Sequence, residues 1–376
     1  MLSKEEKIAR LKILRSGSIG PTTFWDLIGT YGSGERALQA IPKISKNLGK
    51  NSKIFSDEDI KKEFAHLKSI GAWMVFFEDE LYPPLLRNIP DPPPVLTILG
   101  NKETARKFCK REMISVVGAR NASINAQKFC QAICEDLSRE GVVIVSGLAR
   151  GIDTNAHIGS LNGGTVAVLA GGINIVYPQE NLKLYKEISE KGLVIAEMPY
   201  DTSSQPQLFP RRNRIIAGMS YGTLVVEAAE QSGSLITAKM ALDFNRDVFA
   251  VPGFPVDPRS YGCNNLIKEG AILVQSARDI LDHLQNQKVI MPSLMEEQAE
   301  FTSKISEKDL EKIRKNIMNS LSSVPITIDE LISSVKVSPQ EVLTALLELE
   351  LSNKIVRLHG QRVCLSAKGS AFIGTE

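Results

Sequence analysis

The sequence predicts an α/β protein: a Rossmann-like, doubly wound, mostly parallel sheet core set between an N-terminal helical domain and a C-terminal winged-helix domain. Three observations predict it. Between Met113 and Gln275, seven short β-branched runs alternate with amphipathic segments, and near-continuous apolar strands separated by helices form a parallel sheet covered on both faces. Residues 4–70 carry helical periodicity punctuated by glycine and proline. Residues 308–368 read helix, short helix, helix and two-stranded ribbon, the order of a winged helix. Length agrees, because a single core stops growing near ~250 residues and the chain has 376. The expected boundaries are 1–70 for the helical domain, 71–285 for the sheet domain, 286–307 for a linker and 308–376 for the winged helix.

In the helical domain, Gly17 and Gly20-Pro21 punctuate an amphipathic start, and Thr22 or Thr23 is placed to cap the next helix. Residues 1–70 hold 13 basic and 8 acidic side chains. Such a unit suits contact with a DNA backbone through glycine amides or contact with another protein. Next, LYPPLLRNIPDPPPVLTILGN (81–101) has prolines that forbid a helix, so a rigid extended connector is expected there. The sheet strands are MISVVG, VVIVS, TVAVL, LVIAE, TLVVE, DVFAV and AILVQ, in that order. After Leu284 the chain turns polar without apolar period, as a linker does. In the winged helix, Ser338-Pro339 with Glu341 makes a capping-box start for the third helix, and Gly360 turns the ribbon. That helix carries one lysine against three glutamates, a poor surface for phosphates, so protein contact or plain packing is preferred over DNA contact.

The net charge of +2 excludes a bulk polycation that coats DNA, so any nucleic-acid site has to be local. A content of 43% hydrophobic residues is enough for ordinary cores. No run of about 18 apolar residues occurs and the first residues alternate charged with apolar, so no membrane and a cytoplasmic location are expected. Cys109, Cys130, Cys134, Cys263 and Cys364 are odd in number and scattered, with no histidine near them at zinc spacing, so neither disulfides nor a metal are expected.

In a doubly wound sheet, ligands bind beyond the carboxyl ends of the strands. After the first strand come Gly118, Ala119, Arg120 and Asn121; after the second come Ser146, Gly147, Leu148, Ala149, Arg150, Gly151 and Ile152. Neither loop is a dinucleotide fingerprint and no P-loop occurs, so no nucleotide cofactor is expected. What remains is a glycine-flanked anion seat at helix N-termini with arginines on both loops, and phosphate is the obvious anion. After the third strand, Tyr177 could stack on a base or anchor the loop from the core, the core reading being preferred. Before the fifth strand, Phe209 precedes Arg211, Arg212, Asn213 and Arg214 in a helix expected to open after Pro210. Three guanidiniums beside a positive helix end ask for an anionic partner, or for carboxylates such as Glu197 and Glu227, and a split of roles is expected. Ser232, Gly233 and Ser234 suit phosphate or helix capping, and capping alone would explain Ser234. Asp153 and His157, four apart on one helix face, read as a buried, hydrogen-bonded pair that holds the loop rather than as a catalytic pair.

The strings VVGAR, SGLARGIDTNAH, GGINIVYPQEN, FPRRNRIIAG, VVEAAEQSGSLITA, VPG and GCNNLIKEGA resemble, in order and spacing, the bacterial DNA-processing protein A (DprA/Smf) family. The resemblance covers roughly residues 81–281, and the flanks look like the family's sterile-alpha-motif-like N-terminal unit and winged helix. It implies sequence-tolerant binding of single-stranded DNA without nucleotide hydrolysis. It also implies loading of RecA during natural transformation, displacement of single-strand-binding protein, and a homodimer. By resemblance, Arg120 contacts DNA, Phe209, Arg212, Asn213 and Arg214 form an aromatic and basic pocket, and Lys183 stands for a lysine of the tyrosine-proline helix. Ala119 and Ala196 depart from the hydroxyl residues common in relatives. Alanine at Arg120 or Arg212 is expected to abolish single-strand binding and spare the fold. The alternative is an enzyme, resembling the nucleotide phosphoribohydrolases, whose motif Tyr221-Gly222-Thr223 and Glu227 echo without its Pro-Gly-Gly stretch.

Overall fold

In the computed structural model of the chain, the described residues are 2–16, 19–47, 55–286, 307–322, 324–335, 337, 339, 341–342, 345–346, 349, 354–358 and 362–366. Two compact units divide near Asn286. The first opens with four helices: α1 (Lys4–Arg15), α2 (Pro21–Tyr31), α3 (Gly34–Asn47) and α4 (Asp57–Ser69). Gly20 and Pro21, not Thr22 or Thr23, start α2: proline at the first helical position lacks only an N–H that has no partner there, and its φ is already helical. The helices share an apolar cluster with the first two strands of the sheet, Leu11 and Ile60 packing with Phe76 and Val95. Trp25 Nε1 donates to the Pro92 carbonyl at 2.8 Å, and Lys7 pairs with Asp79 at 2.7 Å.

The sheet has nine strands: β1 (Ala72–Phe76), β2 (Val95–Gly100), β3 (Met113–Gly118), β4 (Val143–Ser146), β5 (Thr165–Leu169), β6 (Leu193–Ala196), β7 (Gly222–Val226), β8 (Asp247–Ala250) and β9 (Ile272–Leu273). Its order is β1-β2-β6-β5-β4-β3-β7-β8-β9. All seven expected runs are strands, parallel to one another from β6 to β9. The proline-rich segment corrects the expectation of a mere connector, since β2 pairs antiparallel with both β1 and β6. The reason is local: the last proline is Pro94, and VLTILG beyond it keeps every N–H and is apolar on both faces.

The parallel strands alternate by residue. Ile114, Val116, Ile144, Leu224 and Val226 pack under α6 (Ile124–Arg139), α7 (Ile152–Ser160) and the helix 277–286, while Ala167, Leu169, Val194 and Ala196 pack under α8 (Leu182–Lys191) on the same face. Val117, Val143, Val145, Val166, Val168 and Val225 pack under α9 (Leu208–Gly218) and α10 (Gly233–Asp243) on the other. Strand order reverses between β3 and β7, so the chain leaves the ends of these neighbours in opposite directions and opens a crevice.

The second unit holds helices Glu307–Ser320 and Ile328–Val335, helical residues at 339, 341–342, 345–346 and 349, and a three-stranded antiparallel sheet of Ile326–Thr327, Arg362–Leu365 and Ile355–Leu358 in that order. Its core includes Ile317, Leu331, Val342, Leu346, Ile355 and Val363. This is a winged helix, with a short third strand beside the expected ribbon. Ser338, Gly360 and the segment 287–306 lie outside the described residues.

Candidate nucleic-acid interface

The crevice at the β3–β7 reversal is a cleft of about 840 Å³, a size typical of ligand sites. Of the residues expected to bind, it is lined by Gly118, Arg120, Phe209, Arg212, Asn213, Ser232, Gly233 and Ser234, from three segments, the end of β3, the start of α9 and the start of α10, brought together by the parallel topology. Tyr177, Asp153, Gln231 and Arg259 line it as well.

At its rim, the Arg120 guanidinium lies 5.1 Å from the centre of the Phe209 ring. Tyr177 meets the same ring at 5.7 Å and is 54% exposed, which overturns its reading as a core tyrosine. Across the cleft, Ser232 caps α10, its Oγ accepting from the Ser234 amide at 3.4 Å. Capping therefore falls to Ser232 and not to Ser234, whose Oγ lies 2.7 Å from Ser232 Oγ. The positive end of α10 points into the cleft with open space at Gly233.

The floor is built differently. Helix α9 begins at Leu208, so Pro210 sits within its first turn, where its missing N–H has no helical partner to lose. That start carries Arg212 inward. It is 6% exposed, and its Nη1 donates to the carbonyls of Gly147 and Val168, the latter at 2.6 Å, while Nε donates to Asn213 Oδ1 at 3.1 Å. Burial pushes this guanidinium down to about 10, against the pull of Asp153. Gly147 is required there because a Cβ would stand 2.2 Å from Arg212 Nη1.

The Gly147–Ala149 turn is held from every side. Leu148 takes a left-handed φ of 55°, uncommon for a branched apolar residue. Asp153 Oδ2 accepts from the amides of Gly147 and Ala149 at 3.1 and 3.4 Å, His157 Nε2 accepts from Leu148 N at 3.3 Å, and Asn181 Nδ2 donates to the Leu148 carbonyl at 2.9 Å. Asp153 and His157 thus hold the loop separately, without a hydrogen bond between them. Nδ1 of His157 lies 2.7 Å from Thr165 Oγ1. Burial pushes the imidazole down to about 3 and raises the Asp153 carboxyl, which the nearby Arg212 charge and the two amides oppose. Asn181 was missed by sequence reasoning, although an asparagine opening a helix was a signal.

Other expected residues lie elsewhere. Arg214 is buried in an ion pair with Glu197 and donates to the Asp91 carbonyl at 2.7 Å, so the split of roles among the three arginines holds. Arg211 is exposed and lines a second cleft with Arg15, Gly20 and Glu197. Among the described residues Glu227 forms no salt bridge with an arginine: its carboxylate accepts from Ser123 N at 2.9 Å and from Ser123 Oγ at the start of α6. Ser146 Oγ donates to the Val116 carbonyl at 2.7 Å inside the sheet. Gly151, at φ 73°, lets the α7 start pack against the Arg120 loop, where a Cβ would meet the Ala119 carbonyl at 2.3 Å. Arg150 pairs with Glu180, and Lys183 is exposed with its Nζ 3.9 Å from Glu187. Two buried carbonyls accept from Arg212, so its removal is expected to cost stability rather than spare the fold.

Among the described residues no cluster of side chains could hold a metal, and no helix is long and apolar enough to cross a membrane.

Known proteins share this organisation. The family described as DNA recombination-mediator protein A matches residues 73–285, a DprA-like N-terminal HHH domain matches 4–65, and a DprA winged helix domain matches 302–361. Protein Smf of Escherichia coli is 35% identical over 327 residues, covering 85% of this chain and 86% of its own. DNA processing protein DprA of Streptococcus pneumoniae is 43% identical over 229 residues, covering 60% and 77%. The crystal structure of the Streptococcus pneumoniae protein superposes with a TM-score of 0.59 at 31% identity, covering 75% of this chain and 98% of that one. DNA processing protein A of Helicobacter pylori, a structure described for its single-stranded DNA binding mode, shares the fold at a TM-score of 0.52 and 24% identity, covering 57% and 96%. With its core, N-terminal and winged-helix segments all matched in order, the chain belongs to the DNA recombination-mediator protein A (DprA/Smf) family.

Proposed function

We propose that the chain binds single-stranded DNA in the switch-point cleft and acts there as a recombination mediator, loading RecA onto incoming strands during natural transformation. The observation that carries this reading is the rim: Arg120, Tyr177 and Phe209 facing the Ser232-Gly233-Ser234 turn across one cleft. Guanidinium and helix-end amides suit phosphates, and exposed aromatic rings suit bases, a combination that tolerates any sequence. The recombination step rests on family membership and on the family's description.

The cleft residues act as binding groups in this reading and not as catalysts. The carboxylate of Glu227, the residue that a phosphoribohydrolase reading would use, is engaged by Ser123. The two loop carboxyl and imidazole groups spend hydrogen bonds on backbone amides. Release of free base from nucleoside monophosphates would overturn this part.

Homodimerisation, through the sheet domain, belongs to the same proposal. Phe254, Val256, Tyr261 and Leu273 are exposed apolar side chains at the β8–β9 end of the sheet, and β9 is an edge strand. RecA and single-strand-binding protein are the protein partners proposed, and the cytoplasm is the proposed location.

One titration tests the reading. Filter binding of single- and double-stranded oligomers at two salt concentrations should show preference for the single strand and a log–log salt slope of about −0.7 per phosphate contacted. Absence of single-strand binding sinks it. Delivery of RecA is then read as faster RecA filament growth on a strand coated with single-strand-binding protein.

A further inference from the structure

Asp153 is the one acidic side chain that reaches the cleft from its floor, and the loop uses only half of it. It is 7% exposed, and both amides it accepts, from Gly147 and Ala149, reach the same oxygen, Oδ2. Oδ1 has no hydrogen-bond donor among the described residues, and it is not among the buried polar atoms sealed away without a partner. The carboxylate lines the cleft whose walls carry Tyr177, Phe209 and Arg120. Beside it, Asn213 lines the same cleft with its Oδ1 committed to Arg212 Nε, so its Nδ2 donors are the ones left for a ligand. An unspent acceptor at the bottom of an aromatic-walled cleft is costly to keep dry unless a donor fills it.

We propose that Asp153 Oδ1 accepts an N–H from the Watson–Crick edge of an unpaired nucleobase seated against Tyr177 and Phe209, so that the cleft selects single strands by reading an open base edge. Every nucleobase carries a ring or exocyclic N–H on that edge next to an acceptor. A carboxylate oxygen and an amide donor therefore satisfy any unpaired base without distinguishing sequence. In a duplex the edge is occupied by the partner base, and the acceptor stays unfilled. Stacking on an aromatic ring asks only for an uncovered base face, whereas this contact asks for a free Watson–Crick edge. The inference rests on the proposed binding of single-stranded DNA and adds the residue that enforces strandedness.

The test uses the full chain and three oligomers of equal length: thymidine, N3-methylthymidine and abasic sugar-phosphate. Methylation removes the edge N–H while leaving ring and backbone in place. The wild-type protein should bind thymidine oligomers about ten- to a hundredfold more tightly than the methylated ones, the ratio for a lost hydrogen bond to a charged group. Asp153→Asn keeps an oxygen for the two loop amides and turns the free atom into a donor, which thymine carbonyls accept with or without the methyl group. The variant should bind both thymine oligomers alike, at an unfolding midpoint close to wild type. Equal wild-type affinity for the two thymine oligomers overturns the inference, as does undiminished discrimination in Asp153→Asn. The wild-type comparison decides even where the variant does not fold. Failure of wild type to bind any of the three, by contrast, overturns the proposed function itself.

Discussion

The rim and the floor of the cleft each carry an arginine, and the two are in opposite circumstances. Arg120 at the rim is exposed, makes no ion pair among the described residues, and leans on the Phe209 ring. Arg212 at the floor is buried and spends its donors on Gly147, Val168 and Asn213. The same residue type thus stands uncommitted at the rim and holds the Gly147 loop from the floor. The difference teaches that a basic motif in this sheet cannot be read as a set of equivalent contacts.

The largest expected effect tests this division. Arg212→Ala strands two buried carbonyls and removes the charge beside Asp153, at a cost to stability of about 3–5 kcal/mol. Arg120→Ala should change stability by less than about 0.5 kcal/mol, yet weaken single-strand binding at least about tenfold, the loss of a charge-assisted contact. Urea unfolding midpoints beside binding isotherms separate the two, and matching midpoints would erase the comparison.

The glycines of the same two regions sharpen it. A methyl at Gly147 meets the Arg212 guanidinium, so Gly147→Ala should cost about 1–3 kcal/mol, as overpacking does. No atom lies within 4 Å of a Cβ at Gly233, so Gly233→Ala should leave the midpoint unchanged and affect only binding. A Gly233→Ala midpoint as low as that of Gly147→Ala would contradict a rim free of fold constraints.

A pH dependence is confined to the floor. His157 falls to about 3 in the fold from an ordinary 6.5, so the unfolded chain takes its proton first as pH drops. Its contribution is fully present above about 6.5 and is lost toward 3, with a slope of about 1.4 kcal/mol per pH unit. Asp153, raised by burial, protonates first in the fold and opposes this loss between its raised value and about 3.8. His157→Gln keeps an acceptor for the Leu148 amide and should flatten the stability profile between pH 6.5 and 4.5. An unaltered slope would place the acid sensitivity elsewhere.

Much of the molecule was legible because its signals are local. Seven apolar runs alternating with helical segments could pack only as a two-faced parallel sheet, and all seven strands formed. The glycine-flanked strand ends, Arg120 and Phe209 followed from where such sheets bind. Less legible was β2, since a proline-dense approach masked a strand that begins one residue after Pro94. Tyr177 was misjudged because an aromatic beside a loop carries no sequence mark of exposure. Asn181 escaped notice because its partner, the Leu148 carbonyl, is 33 residues away.

By itself, then, the sequence determined the fold class, the helical and winged flanks and the strand-end loops that line the cleft, because periodicity and turn chemistry act over a few neighbours. Only the tertiary structure decided what each polar side chain does. FPRRNR places three arginines within four residues, yet their helical positions turn one toward the Gly147 loop, one into a buried pair with Glu197 and one to a different cleft. Burial and available partners fix the role of a charge, and both are set by contacts between segments far apart in the chain.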